Sequence, residues 1–225
     1  MKKRTLALLM VAIMLFGVAV GGTVAWLTTE SSTVTNTFTV GDINIVLNEA
    51  DVNITDDDGN VTYEEFVRNN EVVDNLEDAD RVQANEYELI PGADYFKDPK
   101  VTVLIGSEPC YVYVKVTETN NDDDTIIFTI NTDNWTLVSG YTDLYRYNTK
   151  LDAASEAKQT ESVIKDSRIS IRENLTKDVM HPTTGTYAKP QLDFVAAAVQ
   201  SENISQAVAD KEAAELLGAT ALTTP

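Results

Sequence analysis

The sequence predicts an all-β protein, a jelly-roll-like antiparallel β-sandwich closed by a short C-terminal helix. Three observations lead there. Apolar and polar residues alternate with period two along most of the chain, turn residues interrupt that alternation at short intervals, and a single C-terminal segment switches to helical spacing. Many short strands with little helix are the signature of two packed sheets.

The strands can be read in order. Thr35 to Leu47 alternates around a break at Gly41-Asp42, with Phe38, Val40, Ile43 and Ile45 as its apolar positions. Further strands are expected at Val101–Ile105, Tyr111–Val116, Thr125–Ile130, Tyr141–Tyr147, Val163–Ile171 and Leu192–Gln200. Pro91-Gly92, Gly106-Ser107, the Asn120–Asp124 acidic run and Ser139-Gly140 supply the turns between them. Asn69–Ala84 departs from alternation, with Val72 or Val73, Leu76 and Ala79 at helical spacing, and reads as a loop holding two helical turns. Ser201–Gly218 is the better helix: Ser201 caps it, Ile204, Val208 and Leu216-Leu217 form its apolar edge, and Gly218 ends it.

The N-terminus carries an export signal. Lys2, Lys3 and Arg4 precede an apolar run from Thr5 to Val20, Gly21-Gly22 break it, and Thr23-Val24-Ala25 places small residues before a cleavage point between Ala25 and Trp26. The run is short for a membrane span. Residues 1–25 are therefore expected to be a signal peptide and 26–225 a single domain, with membrane contact only through the uncleaved leader. The alternative is that the leader stays as an anchor.

Charge narrows the partners. The 225-residue chain holds 36 acidic against 17 basic residues, a net charge of −19. Losing the leader makes the remainder more negative still, because it removes three basic residues and no acidic one. Such a surface repels nucleic-acid phosphates and anionic lipid heads, and keeps an extracellular protein soluble. Cys110 is the only cysteine, so no intrachain disulfide exists; its place in Pro109–Val114 suits a small apolar group packed in a strand.

Chemistry is sparse. Thr55–Phe66 matches much of a calcium loop, with Asp56, Asp58 and Glu65 as carboxylates and Gly59 at the sixth place, but Ile54 stands where the first ligand belongs. The flanks alternate like strands, so a β-hairpin turned by Asp58-Gly59-Asn60 accounts for the same residues, and a weak surface calcium site is the alternative. No other cofactor is expected. His181 is the sole histidine, which rules out a two-histidine zinc motif. No nucleophile motif or phosphate loop stands out, so no catalytic residue is assigned. Asn-x-Ser/Thr triplets begin at Asn53, Asn60, Asn134, Asn174 and Asn203, and read as polar strand composition.

One resemblance goes further. Gly21–Thr29, followed by Val34-Thr35-Asn36-Thr37-Phe38-Thr39-Val40-Gly41-Asp42-Ile43-Asn44-Ile45, resembles the N-terminus of TasA/camelysin-like exported proteins of Gram-positive bacteria, whose leaders are cut by a SipW-type signal peptidase. The usual aromatic-acidic pair after the site is replaced here by Trp26-Leu27-Thr28-Thr29. Looser matches lie at Leu89–Gly92 with Tyr95, Lys97, Pro99 and Val101, and at Phe194–Gln200. The resemblance implies a jelly roll and a secreted subunit of extracellular matrix or biofilm fibres. On this reading residues 26–38 form the joining strand, with Val34, Thr35 and Phe38 as its β-forming residues, and subunits assemble head to tail. The alternatives are a monomeric secreted binding module and a camelysin-like peptidase; the single histidine gives the latter no support.

Mass spectrometry of the secreted protein is expected to find Trp26 at the N-terminus, and a bulky residue in place of Ala25 to hold the precursor at the membrane. A secreted species that begins at Met1 overturns the assignment of the leader.

Overall fold

The computed structural model describes residues 28–32, 35–36, 43–55, 61–63, 81–121, 124–175 and 189–223. Its strands in chain order are β1 (Thr28–Ser32), β2 (Thr35–Asn36), β3 (Ile45–Ala50), β4 (Asn53–Thr55), β5 (Val61–Tyr63), β6 (Arg81–Val82), β7 (Asp94–Phe96) and β8 (Lys100–Val103). They continue with β9 (Ser107–Thr119), β10 (Ile126–Ile127), β11 (Trp135–Leu137), β12 (Leu144–Tyr147), β13 (Leu151–Ala153), β14 (Lys158–Gln159), β15 (Arg168–Ile171) and β16 (Gln191–Gln200). A single turn of 3-10 helix covers Lys165–Ser167, and α1 spans Gln206–Leu217.

Every strand pairing is antiparallel. The large sheet has seven strands in the order β11-β12-β9-β16-β1-β2, with β13 also on β9. Opposite it lie the sheet β14-β8-β3-β6 and the sheet β10-β15-β7. These two are tied into one layer by backbone bonds from Lys97 N–H to Ser167 O (2.8 Å) and from Val163 N–H to Pro99 O (3.0 Å). This is the all-β sandwich with one C-terminal helix that the alternation predicts.

The longest pairing organises the rest. β9 and β16 run side by side from Gln191↔Thr119 to Gln200↔Cys110. On β9, Cys110, Val112, Val114 and Val116 enter the core between the sheets, where they meet Ile45, Val101, Val103, Tyr95, Ile169 and Ile171. Tyr111 and Tyr113 point to the opposite face, and β16 divides the same way, with Phe194, Ala196 and Ala198 inward against Ala197 and Val199 outward. The outward residues form a second core with Ala209, Ala213, Ala214 and Leu217 of α1. Helix α1 thus covers the back of the large sheet. A strand buried on both faces reads as a near-continuous apolar run, which is why Phe194–Val199 loses its alternation.

Several boundaries differ from the sequence reading. The helix begins later than Ser201: its N-cap is Ser205, whose Oγ accepts from Val208 N–H at 3.4 Å, and Gly218 ends it in the left-handed region at φ 57°. Ser201 instead extends the sheet, donating its N–H to Pro109 O at 2.9 Å, and Asn203 at φ 63° then turns the chain. Expected strands are trimmed where the chain curls: Leu104 and Ile105 belong to the turn into β9, and Tyr141 makes only an isolated bridge to Ala221. Gly106 in that turn has φ 85° and open space around it, so its backbone conformation, not crowding, calls for glycine. The expected helical turns of Asn69–Ala84 lie outside the described residues, apart from Arg81–Val82, which form β6, and Gln83-Ala84, which follow it.

The packing of α1 on β16 sets a stability prediction. Ala197 is fully buried between sheet and helix, so Ala197→Leu is expected to destabilise by about 1–3 kcal/mol in urea unfolding. Ser205→Ala is expected to cost about 1 kcal/mol through the lost cap. Ser201→Ala is expected to cost nearly nothing, since the buried Ser201 Oγ has no hydrogen-bond partner.

Candidate functional site

Two places in the sandwich bring together groups that the rest of the chain does not explain as simple packing. The first is the side of β16 that faces away from β9. Beyond β9, the neighbour of β16 is β1, paired from Thr28↔Val199 to Ser31↔Ala196, and β1 turns back to β2 through Ser31↔Asn36 and Ser32↔Thr35. The chain segment just behind the expected cleavage point therefore lies in the large sheet, one strand in from its β2 edge. On the β16 side the contact is made at Ala196, Ala197, Ala198 and Val199, all fully buried. Thr35 is placed in β2; Ala25, Trp26, Val34 and Phe38 lie outside the described residues.

The second is a cluster of charged and amide groups beneath a cleft of about 580 Å³. β3 ends in Asn48-Glu49-Ala50 and packs beside the chain that links β7 to β8, Lys97-Asp98-Pro99. Asp98 is fully buried; its Oδ1 accepts from Ala50 N–H at 2.7 Å and its Oδ2 from Arg81 Nη1 at 2.6 Å, with Lys100 Nζ 3.6 Å away. The Arg81 guanidinium also donates to Asn48 Oδ1 (3.0 Å) and to the carbonyls of Asn48 (2.8 Å) and Asp98 (3.1 Å). That side chain reinforces the backbone pairing of β6 with β3, Glu49↔Val82 and Ala50↔Arg81.

Next to this pair sits a second one. Glu49 accepts from Lys97 Nζ on Oε2 at 2.6 Å and from Asn85 Nδ2 on Oε1 at 2.9 Å. Asn85 also donates to Ala50 O and accepts from Val52 N–H. Aromatic rings wall the site, with Lys97 Nζ 5.2 Å from the Tyr87 ring centre and 5.5 Å from that of Phe194. Burial, reinforced by the Glu49 charge, pushes the Tyr87 phenol well above its ordinary range. Glu49, Asn85, Tyr87, Lys97 and Phe194 all line the cleft, whose apolar wall includes Leu47, Ile126, Ile171 and Leu192. Sequence reasoning missed this cluster. Lys97 entered it only as part of a loose motif, and Glu49, Asn85 and Asp98 look like ordinary members of an acidic, polar chain.

The remaining candidates fall elsewhere. Cys110 is fully buried in the inter-sheet core, as the strand reading expects, and burial with the nearby Asp152 pushes its thiol up to about 12. On the helix side, Asp210 accepts from Tyr113 Oη at 2.8 Å and from Arg146 Nη1 at 2.8 and 2.9 Å, which locks α1 to the sheet. β4 and β5 pair from Asn53↔Tyr63 to Thr55↔Val61, so strands flank the calcium-loop-like sequence and support its hairpin reading. Asp56, Asp58, Glu65 and His181 lie outside the described residues. Among the described residues no group of three or more histidine, cysteine, aspartate or glutamate side chains is placed to hold a metal ion, and no helix is long and apolar enough to cross a membrane.

No family model matches the chain, and no curated sequence or solved structure matches it either.

Removing one partner of a buried pair strands the other. Asp98→Ala is therefore expected to cost about 3–5 kcal/mol in equilibrium unfolding. Lys211→Ala, which removes an exposed pair with Glu215 on α1, is expected to leave the midpoint unchanged within error.

Proposed function

We propose that this protein is a secreted, non-enzymatic structural subunit, a jelly-roll domain that assembles head to tail into extracellular matrix fibres by donating its N-terminal strand. The observation that carries the reading is the seat of β1 on β16. Ala196–Val199 are fully buried, so without a neighbour the β16 backbone would leave unpaired polar groups in the interior of the molecule. That slot must be filled. Within one chain β1 fills it, and the same strand from a second copy would make the same backbone bonds, so exchange between copies is close to neutral in pairing energy.

Export supports this reading, since a strand at the start of the mature chain is free to leave only once the leader is cut. Each exchange leaves one end open, so the contact extends as a filament and does not close. The charge of −19 opposes the approach of copies at neutral pH and low salt. Assembly should accelerate as carboxylates are protonated or as salt and divalent ions screen them. The cleft of about 580 Å³ favours a second reading, a monomeric secreted binding module in which β1 stays at home.

Deletion of Trp26–Thr33 separates the two. Refolded with a peptide of residues Trp26–Thr33 that fills the slot in place of β1, the truncated protein is expected to keep β-rich circular dichroism yet form no filaments by electron microscopy in acidic or high-salt buffer, where the intact mature protein does. Normal filaments from the truncated protein overturn strand donation. Absence of filaments from the intact protein leaves the binding module.

A further inference from the structure

The cluster around Glu49 brings an amine and a carboxamide onto one buried carboxylate, the three groups that amide exchange uses. Lys97 Nζ and Asn85 Nδ2 donate to opposite oxygens of the one Glu49 carboxylate, at 2.6 and 2.9 Å. Asn85 Oδ1 accepts from the backbone N–H of Val52 at 3.1 Å, so its carbonyl is already polarised by a fixed donor. Lys97 and Glu49 are only 7% and 5% exposed, and the Tyr87 and Phe194 rings flank the amine. Little water reaches them to compete with the carboxamide carbon for the nucleophile.

We propose that Lys97 and Asn85 are joined by an intramolecular isopeptide bond, formed after folding with Glu49 as the proton carrier. One proton crosses from Nζ to Glu49 Oε2 along their hydrogen bond, which frees the lone pair. Nζ swings within the cleft from the carboxylate onto Cγ of Asn85, and the new C–N bond forms while the Val52 N–H holds the charge that develops on Oδ1. Glu49 passes its proton to Nδ2 and takes a second one from Nζ. The Cγ–Nδ2 bond then breaks and ammonia leaves through the open cleft. The third proton of the ammonium stays on the new amide, and Glu49 ends protonated, able to donate to its carbonyl. Nothing is oxidised or reduced, and no co-reactant is needed.

The product replaces a buried ion pair by a neutral amide. It also closes the chain from Asn85 to Lys97, which fastens the segment carrying Tyr87 to the entry of β8. The inference stands apart from fibre assembly, since it concerns one chain and is read on the monomer.

Intact-mass spectrometry of the folded, secreted protein tests it. The chain is expected to be lighter than its sequence mass by one ammonia, and a tryptic digest to contain a branched peptide that joins Asn85 to Lys97, with no cleavage after Lys97. Glu49→Gln and Lys97→Arg are each expected to return to full sequence mass and to lose the branched peptide. Full sequence mass for the folded wild-type protein overturns the proposal, as does an ammonia loss that fragmentation places at any other residue. A branched peptide that persists at wild-type yield in Glu49→Gln overturns the role given to Glu49. Should either variant fail to fold, the wild-type mass and the branched peptide decide the question by themselves.

Discussion

The pairing of β9 with β16 is the constraint on which the structure depends. Ten residues of β16 lie in unbroken register with β9, and both faces of the pair are covered, one by the opposing sheets and one by α1. Its inward face carries no charge from Cys110 to Val116 or from Phe194 to Ala198, and the one lysine on the outward face, Lys115, reaches out to the carbonyls of Leu217 and Gly218 at the end of α1. The pairing also limits size: Tyr113 is opposite Ala197, Val114 opposite Ala196 and Val112 opposite Ala198, so large residues on β9 meet small ones on β16. On the outward face Ala197 lets α1 come close with its own Ala209, Ala213 and Ala214, and Asp210 reaches Tyr113 and Arg146 to fix the helix in place.

What lies on either edge of the pair follows from it. β9 is longer than any partner, so β12 and β13 share its far edge, with a register shift between Leu151 and Ala153. β16 has its other edge open to whatever strand is at hand, and the chain supplies β1. The backbone register of β1 on β16 is one that an equivalent strand from another copy could repeat, which is why the proposed assembly rests there.

The opposing layer is organised differently. Its sheets are short, and buried polar groups hold them where an apolar run is too brief to do so. Arg81 reaches back to Asn48 and Asp98, Asp98 holds the N–H of Ala50, and Asn85 holds that of Val52. Buried charges of this kind add little net stability over apolar packing, but a misaligned register would leave them unpaired, so they select one arrangement of β3, β6 and the Lys97–Pro99 segment. The same requirement brings Lys97, Glu49 and Asn85 within reach of one another beside the cleft, where a covalent bond would make that arrangement permanent.

The sequence by itself determined the class of the fold and much of its local structure. Period-two alternation located β8, β9, β12 and β15 to within a few residues, an apolar run located β16, and Gly106 and Gly218 fall at the turn and the helix end where their positive φ is needed. These features are local, since side-chain alternation and left-handed backbone act within a few residues of one another. The burial of Cys110 was legible for the same reason, from its place in an apolar strand. Tertiary structure decided the rest. Alternation states which residues share a face but not which strand lies alongside, so the seat of β1 on β16 could not be read from Thr28–Ser32. Two serines compete to cap α1, and only the bond from Ser201 N–H to Pro109 O, which keeps Ser201 in the sheet, gives the cap to Ser205. Glu49 and Lys97 are 48 residues apart, and in a chain with 36 acidic residues nothing at either position marks a charge that must be buried. Their meeting depends on which strands pair in the second layer, a choice made by the packing of the whole sandwich and not by any segment of it.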